Sequence, residues 1–272
     1  MEHKKIAFIG AGNMSRSIIN GLVAKHYPTS LIKAANRSQE KLDQLHEQFS
    51  IATTTDNIQA LKWADIIVLA VKPQMMEQVC HVMSEFDLSD KLFITIAAGI
   101  PSSRYNDYFN QEVRLVRSMP NTPSLLGLGM SGIYAAESLS AQDKAISSEI
   151  LNSVGEILWV EDEAHIDTVT ACSGSSPAYF FLFMEYMQQS AVKMGLSGEE
   201  ARLLIQQSAL GAAQMVRHNN HLEISQLRKQ VTSKGGTTHA AIETFKENNL
   251  DTSIDEAMNN AVKRAQEMAQ QF

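Results

Sequence analysis

The strongest constraint on the fold of this chain is a change of pattern near residue 160. Before it, short β-branched runs alternate with helical periodicity: "KIAFIG" (5–10), a helix through "MSRSIINGLVAKH", "LIKAAN" (31–36), a helix through "QEKLDQLHEQF", and "ADIIVLAV" (64–71). "LFITIAA" (92–98), "RLVRSM" (114–119) and "MSGIYAA" (130–136) continue the series. Continuously apolar strands joined by crossover helices predict a parallel sheet covered on both faces, so this half is α/β.

Past "GEILWVEDEAHID" the strand signal stops and helix follows helix. Three starts are marked: Ser176 before Pro177, Ser197 with Glu200 as a capping box, and Thr252 with Asp255. Residues 178–187 are apolar almost all round, which requires burial on every side. The last helix carries Ile254, Ala257, Met258, Ala261, Val262, Ala265, Met268 and Ala269 at steps of three and four, a stripe that needs a partner surface. These features predict a helical domain completed by a second subunit. The simpler alternative packs the helices on their own α/β domain.

Composition removes several function classes. At 272 residues and 44% hydrophobic, the chain suits one large domain or two ordinary ones. A net charge of -7 offers no basic footprint for nucleic acid or an anionic membrane. "AYFFLFM" (178–184) falls short of the roughly 20 residues that span a bilayer, and the N-terminus lacks the pattern of a signal peptide. Cys80 and Cys172 form no disulfide framework, which fits a reduced cytoplasmic protein.

In "IAFIGAGNM", Gly10 and Gly12 lie where the first strand turns into a helix, with Ala11, Asn13 and Met14 completing the loop. The first glycine permits a tight turn, the second lets the backbone approach a pyrophosphate, and the helix start supplies amide donors. The third position of the pattern is Ser15. The end of the second strand reads Asn36, Arg37, Ser38, without the carboxylate that would accept ribose hydroxyls. Arginine and hydroxyl donors there suit a 2′-phosphate and favour NADPH, with NADH as a second donor. "LAVKPQ" brings Ala70, Val71, Lys72 and Pro73 to the carboxyl edge of the sheet, where open α/β folds bind ligands. "SMPNTP" makes a second such corner, with Pro120 rigid and Asn121 able to offer its amide to a nicotinamide or a substrate.

"VTSKGGTTHAAIETF" (231–245) places Gly235, Gly236, Thr237 and Thr238 directly before an amphipathic run. Free amides at a helix start with two hydroxyls beside them can hold a small carboxylate and a neighbouring nitrogen. A glycine-rich cap without a ligand explains the same residues equally well.

"FIGAGNM", "AVKPQ", "MPNTP", "SGSSPAY" and "VTSKGGTT" stand in the same order and at similar spacing as the hallmark segments of pyrroline-5-carboxylate reductases, and the resemblance runs essentially end to end. It implies reduction of 1-pyrroline-5-carboxylate to L-proline by NAD(P)H, the last step of proline synthesis. It also implies a Rossmann-like doubly wound domain over residues 1–162 and a helical substrate-binding and dimerisation domain over 163–272, interlocked in a dimer and often built into a decamer. On the matching positions, the substrate carboxylate rests on Ser233, Gly236 and Thr237, Thr238 bonds the ring nitrogen, and Glu163 lines the substrate site. Asn57 lies near the adenosine, and Thr95, Ile96 and Ala97 line the nicotinamide side. Lys234 departs from the proline usual in the signature, and "HLEISQLRKQ" (221–230) lacks a proline common before it.

A cyclic imine accepts hydride once its nitrogen is protonated or hydrogen-bonded, so positioning by Thr238 suffices and no strong acid is obligatory. The competing readings are a β-hydroxyacid dehydrogenase, for which Lys193 would be the acting lysine, and a non-catalytic NADPH-binding sensor. His218 and His221 share a helical spacing without further ligands, so no metal is expected.

Overall fold

The protein is described by a computed structural model, over residues 3–271. It divides into two compact units, Met1–Ser175 with Ala261–Phe272, and Ser176–Asn260.

In the first unit, eight strands form one sheet: β1 Ile6–Ile9, β2 Ile32–Ala35, β3 Ala52–Thr54, β4 Ile66–Leu69, β5 Leu92–Thr95, β6 Arg114–Met119, β7 Gly129–Tyr134 and β8 Gly155–Trp159. Between them run α1 Asn13–Ala24, α2 Gln39–Phe49, α3 Asn57–Trp63, α4 Met76–Met83, α5 Ser102–Phe109 and α6 Ala141–Leu151, and α7 His165–Val169 follows β8. The spatial order is β3-β2-β1-β4-β5-β6-β7-β8. The first six strands are parallel, as expected, but β7 runs antiparallel to β6 and β8 parallel to β7. The sheet is therefore mixed. The link from β6 to β7 is short and turns the chain back on itself, whereas a parallel return needs a dozen or more residues. β3 has no apolar run in the sequence because it is a short edge strand, part-exposed on its outer side.

Alternate residues of each strand enter opposite cores. Ile6 and Phe8 join Ile18, Ile32 and Leu42 on one face, while Ala7 and Ile9 join Ile67, Leu69 and Phe93 on the other. Burial on both faces explains why these strands read as unbroken apolar runs. Each fully buried Ile or Phe contributes about 1.5–3 kcal/mol. Strand order reverses between β1 and β4, which opens a crevice at the carboxyl ends of the two strands.

The helical series continues with α8 Ser176–Lys193, α9 Gly198–His218, α10 Ile224–Gln230, α11 Thr237–Glu247 and α12 Leu250–Ala269. Ser176 and Pro177 occupy the first helical positions of α8, directly after a π-helical turn over Thr170–Gly174. The capping box forms as expected: Ser197 Oγ accepts from Glu200 N, and the Glu200 carboxylate accepts from Ser197 N at 2.9 Å. The expected start at Thr252 is corrected to Leu250, because Asn249 adopts a left-handed φ of 54° and α12 begins immediately after it. No residue of α8 is buried within one chain, and Phe180 and Phe181 are 66% and 62% exposed, so the burial expected for residues 178–187 is not met by this chain alone. Among the described residues no helix is long and apolar enough to cross a membrane.

Candidate active site

Because β1 to β6 are parallel, the segments leaving β1, β2, β3, β4, β5 and β6 all emerge on one edge of the sheet. That edge gathers Gly10–Met14, Asn36–Ser38, Asn57, Ala70–Pro73, Thr95–Ala97 and Pro120–Asn121.

The two loop glycines do different work. Gly10 has φ 111°, and a Cβ there would stand 2.6 Å from Ala70 O, so this position is required by packing against the corner after β4. Gly12 precedes α1 with ordinary backbone angles, φ -86° and ψ 179°, and no side chain caps the helix. A Cβ on Gly12 would meet nothing within 4 Å. Its missing side chain leaves a cradle over free helix-start amides, which fits the pyrophosphate of a dinucleotide. Ser15 is buried and donates from Oγ to Gly10 O at 2.7 Å, so the third position of the pattern clasps the loop. Asn36 Oδ1 accepts from Ala11 N at 3.3 Å, tying the loop to the end of β2.

Arg37 is exposed at the end of β2 and makes one long bond, 3.3 Å, to Gln78 Oε1. Lys72 is exposed at the next corner. Asn57 is the first residue of α3, whose cap is Asp56, accepting from Ile58 N at 2.8 Å and Gln59 N at 3.2 Å.

Two side chains expected on the ligand side are committed inside the fold. Thr95 is fully buried, and its hydroxyl is paired with the Tyr105 hydroxyl and accepts from Ala97 N. Burial holds the Tyr105 phenol well above its ordinary range, so the pair stays neutral. Beside its backbone, this segment leaves only the half-buried Ile96 side chain to line a ligand. The Asn121 amide donates to Ser173 O at 3.1 Å and Ser173 Oγ at 3.2 Å, and its oxygen accepts from Met130 N at 2.9 Å. With the amide occupied on both ends, Asn121 ties the corner to β7 and to the π turn and does not offer that amide outward.

The sequence reading missed a buried polar cluster. Arg117, 5% exposed on β6, donates to Glu163 Oε1 at 2.8 Å, and the same oxygen accepts from Ser102 N at 2.7 Å and Ser102 Oγ at 2.9 Å. Asp167 Oδ1 lies 3.8 Å from Arg117 Nη2. Burial raises the Asp167 carboxyl above the usual range, against the lowering effect of Arg117 and with a further upward push from Glu163. Glu163 thus pins the start of α5 to the sheet through Oε1, while its side chain stays 25% exposed. The available signal was an arginine inside the strand "RLVRSM", since a buried arginine requires a carboxylate.

In the second unit, Ser233–Gly236 form a turn before α11, with Gly235 at φ 77°. Gly236 N donates to Ser233 O at 3.0 Å, so the expected role of that amide in carboxylate binding is corrected. Gly236 is instead the cap residue of α11, which has no side-chain cap. A Cβ on Gly236 would stand 2.7 Å from Ser233 Oγ, so glycine is needed for the turn itself. Thr237 and Thr238 open the helix, exposed, and among the described residues neither hydroxyl has a protein partner. Lys193 ends α8 exposed, away from any corner of this turn in sequence. Among the described residues no group of three or more His, Cys, Asp or Glu could hold a metal ion.

Residues 163–268 match a family model described as pyrroline-5-carboxylate reductase dimerisation, and residues 5–99 match one described as NADP oxidoreductase coenzyme F420-dependent. A pyrroline-5-carboxylate reductase from Vibrio alginolyticus is 53% identical over 272 residues, covering all of both chains. The structure resembles a pyrroline-5-carboxylate reductase from Coxiella burnetii with a TM-score of 0.93 at 40% identity, over 98% of this chain and 99% of that one. It also resembles the Plasmodium falciparum pyrroline carboxylate reductase solved with NADP bound, with a TM-score of 0.87 at 28% identity over 99% of each chain. By identity over its full length, this chain belongs to the pyrroline-5-carboxylate reductase family.

Proposed function

We propose that the chain reduces the C=N bond of 1-pyrroline-5-carboxylate to give L-proline, the last step of proline synthesis, with NADPH as preferred donor and NADH as a second. The observation that carries the reading is the uncapped start of α11, where Thr237 and Thr238 keep their hydroxyls free in a chain 53% identical to a named reductase of this substrate. When bound, the reduced nicotinamide supplies the hydride. The protein's share is to hold and orient. The Ser233 hydroxyl and the Thr237 amide and hydroxyl take the substrate carboxylate, and Gly235 gives the loop its left-handed turn. Thr238 Oγ1 hydrogen-bonds the ring nitrogen, favouring the electron-poor imine that accepts hydride, and solvent or the substrate's own proton completes the amine. Lys234, exposed on the same turn, adds positive charge toward an anionic substrate. On the donor side, Gly12 and the start of α1 receive the pyrophosphate, and Arg37 receives the 2′-phosphate.

We assign residues 1–162 to cofactor binding and 163–272 to substrate binding and dimerisation; the family match over 163–268 supports the second range and the match over 5–99 the character of the first, while by compactness Ala261–Phe272 packs with the first unit. The exposed face of α8 supports a homodimer through these helices. Assembly beyond the dimer, to a decamer, is the form the family resemblance implies and the one we propose. Two free thiols, Cys80 and Cys172, support a reducing cytoplasmic setting.

The test is an absorbance assay of NADPH loss with pyrroline carboxylate, repeated with NADH and with a panel of 3-hydroxy acids and NADP. Substrate-dependent NADPH loss, faster than with NADH, is expected. Binding of NADPH without its oxidation would point to a sensor, and turnover of the hydroxy acids alone to a dehydrogenase.

A further inference from the structure

The last turns of α12 belong with the first unit, where they meet the loop that leaves β5. Gly99 in that loop is buried and left-handed, φ 77°, and a Cβ on it would stand 2.9 Å from Met268 Cβ and 3.3 Å from Met268 Cε. The Met268 side chain therefore rests directly on the Gly99 backbone. Its neighbour one turn back, Ala265, is 7% exposed, so this end of α12 is a seated contact. On the sheet side the same loop is held by the Ile96 N to Leu69 O bond at 3.1 Å and by the burial of Ala97 and Ile100. Thr95–Ala97 contribute mainly backbone to the ligand edge, because the Thr95 hydroxyl is engaged by Tyr105, Ala97 is buried and Ile96 packs partly against the core. A backbone surface is placed only by what packs behind it, and here one of those supports comes from the far end of the chain.

We infer that Met268 is a positioning residue for the reactive end of the cofactor, bracing the Thr95–Ile100 loop through Gly99. The inference rests on the reading above in which that loop lines the nicotinamide side. A methionine suits the task, since its unbranched thioether fills the irregular space over a bare glycine backbone. Truncation to alanine keeps the Cβ against Gly99 but removes the thioether end, whose Cε lies 3.3 Å from the same point, and so loosens the loop on that side. Hydride transfer is sensitive to such slack, because displacements near 1 Å can cost on the order of a hundredfold in rate.

The test compares wild type, Met268→Ala and Met268→Leu in the full-length protein. Three quantities are measured: kcat and KM with NADPH and pyrroline carboxylate, the isotope effect with NADPH deuterated at the transferring position, and the affinity for 2′,5′-ADP, which occupies only the adenosine end. For Met268→Ala the expectation is a fall in kcat of about tenfold, a larger isotope effect, and unchanged 2′,5′-ADP affinity, with Met268→Leu close to wild type. A Met268→Ala enzyme with wild-type kcat overturns the inference. So does one that loses 2′,5′-ADP affinity in parallel with kcat, since that is general loosening of the domain. A wild-type protein that binds NADPH but does not turn over pyrroline carboxylate would instead sink the proposed reaction.

Discussion

One oxygen of Glu163 joins Arg117 of β6 to the first residue of α5: it accepts from Arg117 Nη1 at 2.8 Å and from Ser102 N at 2.7 Å. Removing the carboxylate leaves a guanidinium whose side chain is only 6% exposed with Asp167, at 3.8 Å, as its remaining carboxylate. Glu163→Ala is expected to destabilise the protein by roughly 2–3 kcal/mol, the lower part of the range for broken buried pairs because Glu163 itself is partly solvated. Glu163→Gln keeps an acceptor for Ser102 and should cost less. Thermal unfolding measures both. A Glu163→Gln protein with unchanged stability and a sharply raised KM for substrate would show that the carboxylate faces the ligand.

The loop glycines should separate folding from cofactor binding. Gly10→Ala forces a Cβ within 2.6 Å of Ala70 O at φ 111° and is expected to lower the melting temperature strongly. Gly12→Ala places its methyl in open space and should fold normally. It is expected to weaken NADPH by about tenfold or more, a loss near 1.4 kcal/mol, because the methyl occupies the pyrophosphate cradle. Calorimetric melting and fluorescence titration with NADPH distinguish the two, and equal NADPH affinity for Gly12→Ala and wild type would remove the pyrophosphate from this loop.

Arg37 is the group that separates NADPH from NADH in this assignment. Arg37→Ala should raise the KM for NADPH about tenfold, the worth of one charge-assisted hydrogen bond, and leave the KM for NADH unchanged. A parallel change for both cofactors would place the 2′-phosphate elsewhere.

Thr238→Ala removes one hydrogen bond to the ring nitrogen and should lower kcat/KM about fivefold, equivalent to roughly 1 kcal/mol. Thr238→Ser should recover most of it. Steady-state kinetics at saturating NADPH measures the effect, and unaltered efficiency in Thr238→Ala would exclude this hydroxyl from the reaction.

Asp167 gives the stability a pH dependence of defined sign. Burial lifts its folded carboxyl above the ordinary value of 3.8, so the folded state holds the proton more tightly than the unfolded chain. The ionised form therefore costs stability above the raised range, and that cost disappears as pH falls below the ordinary value. Asp167→Asn is expected to melt higher than wild type at pH 8, with the gap closing toward pH 4. A lower melting point for Asp167→Asn at pH 8 would mean that its pairing with Arg117 outweighs desolvation.

Much of this architecture is legible in the residue order. β1, β2, β4, β5 and β6 lie within the apolar runs that announce them, and Ser197 with Glu200 caps α9 as its spacing requires. The glycines of the first turn and the GGTT stretch before α11 also declare themselves. What misled was the assumption that a polar side chain at a corner faces outward. Asn121 sits at such a corner and is satisfied by Ser173, 52 residues on.

Periodicity and capping are local: they depend on neighbours within one or two turns of the chain, and so the sequence by itself determined most of the elements and their order, and pointed to the two glycine-rich loops. Which hydrogen-bonding groups stay open for a ligand was decided only by the tertiary structure. Arg117 finds Glu163 across 46 residues and Ser102 finds it across 61, Ser233 takes the Gly236 amide by the way one turn closes, and Met268 returns to Gly99 from the far end of the chain. Those partners are chosen by packing in three dimensions, where a buried polar group must be satisfied by whatever the fold brings within reach.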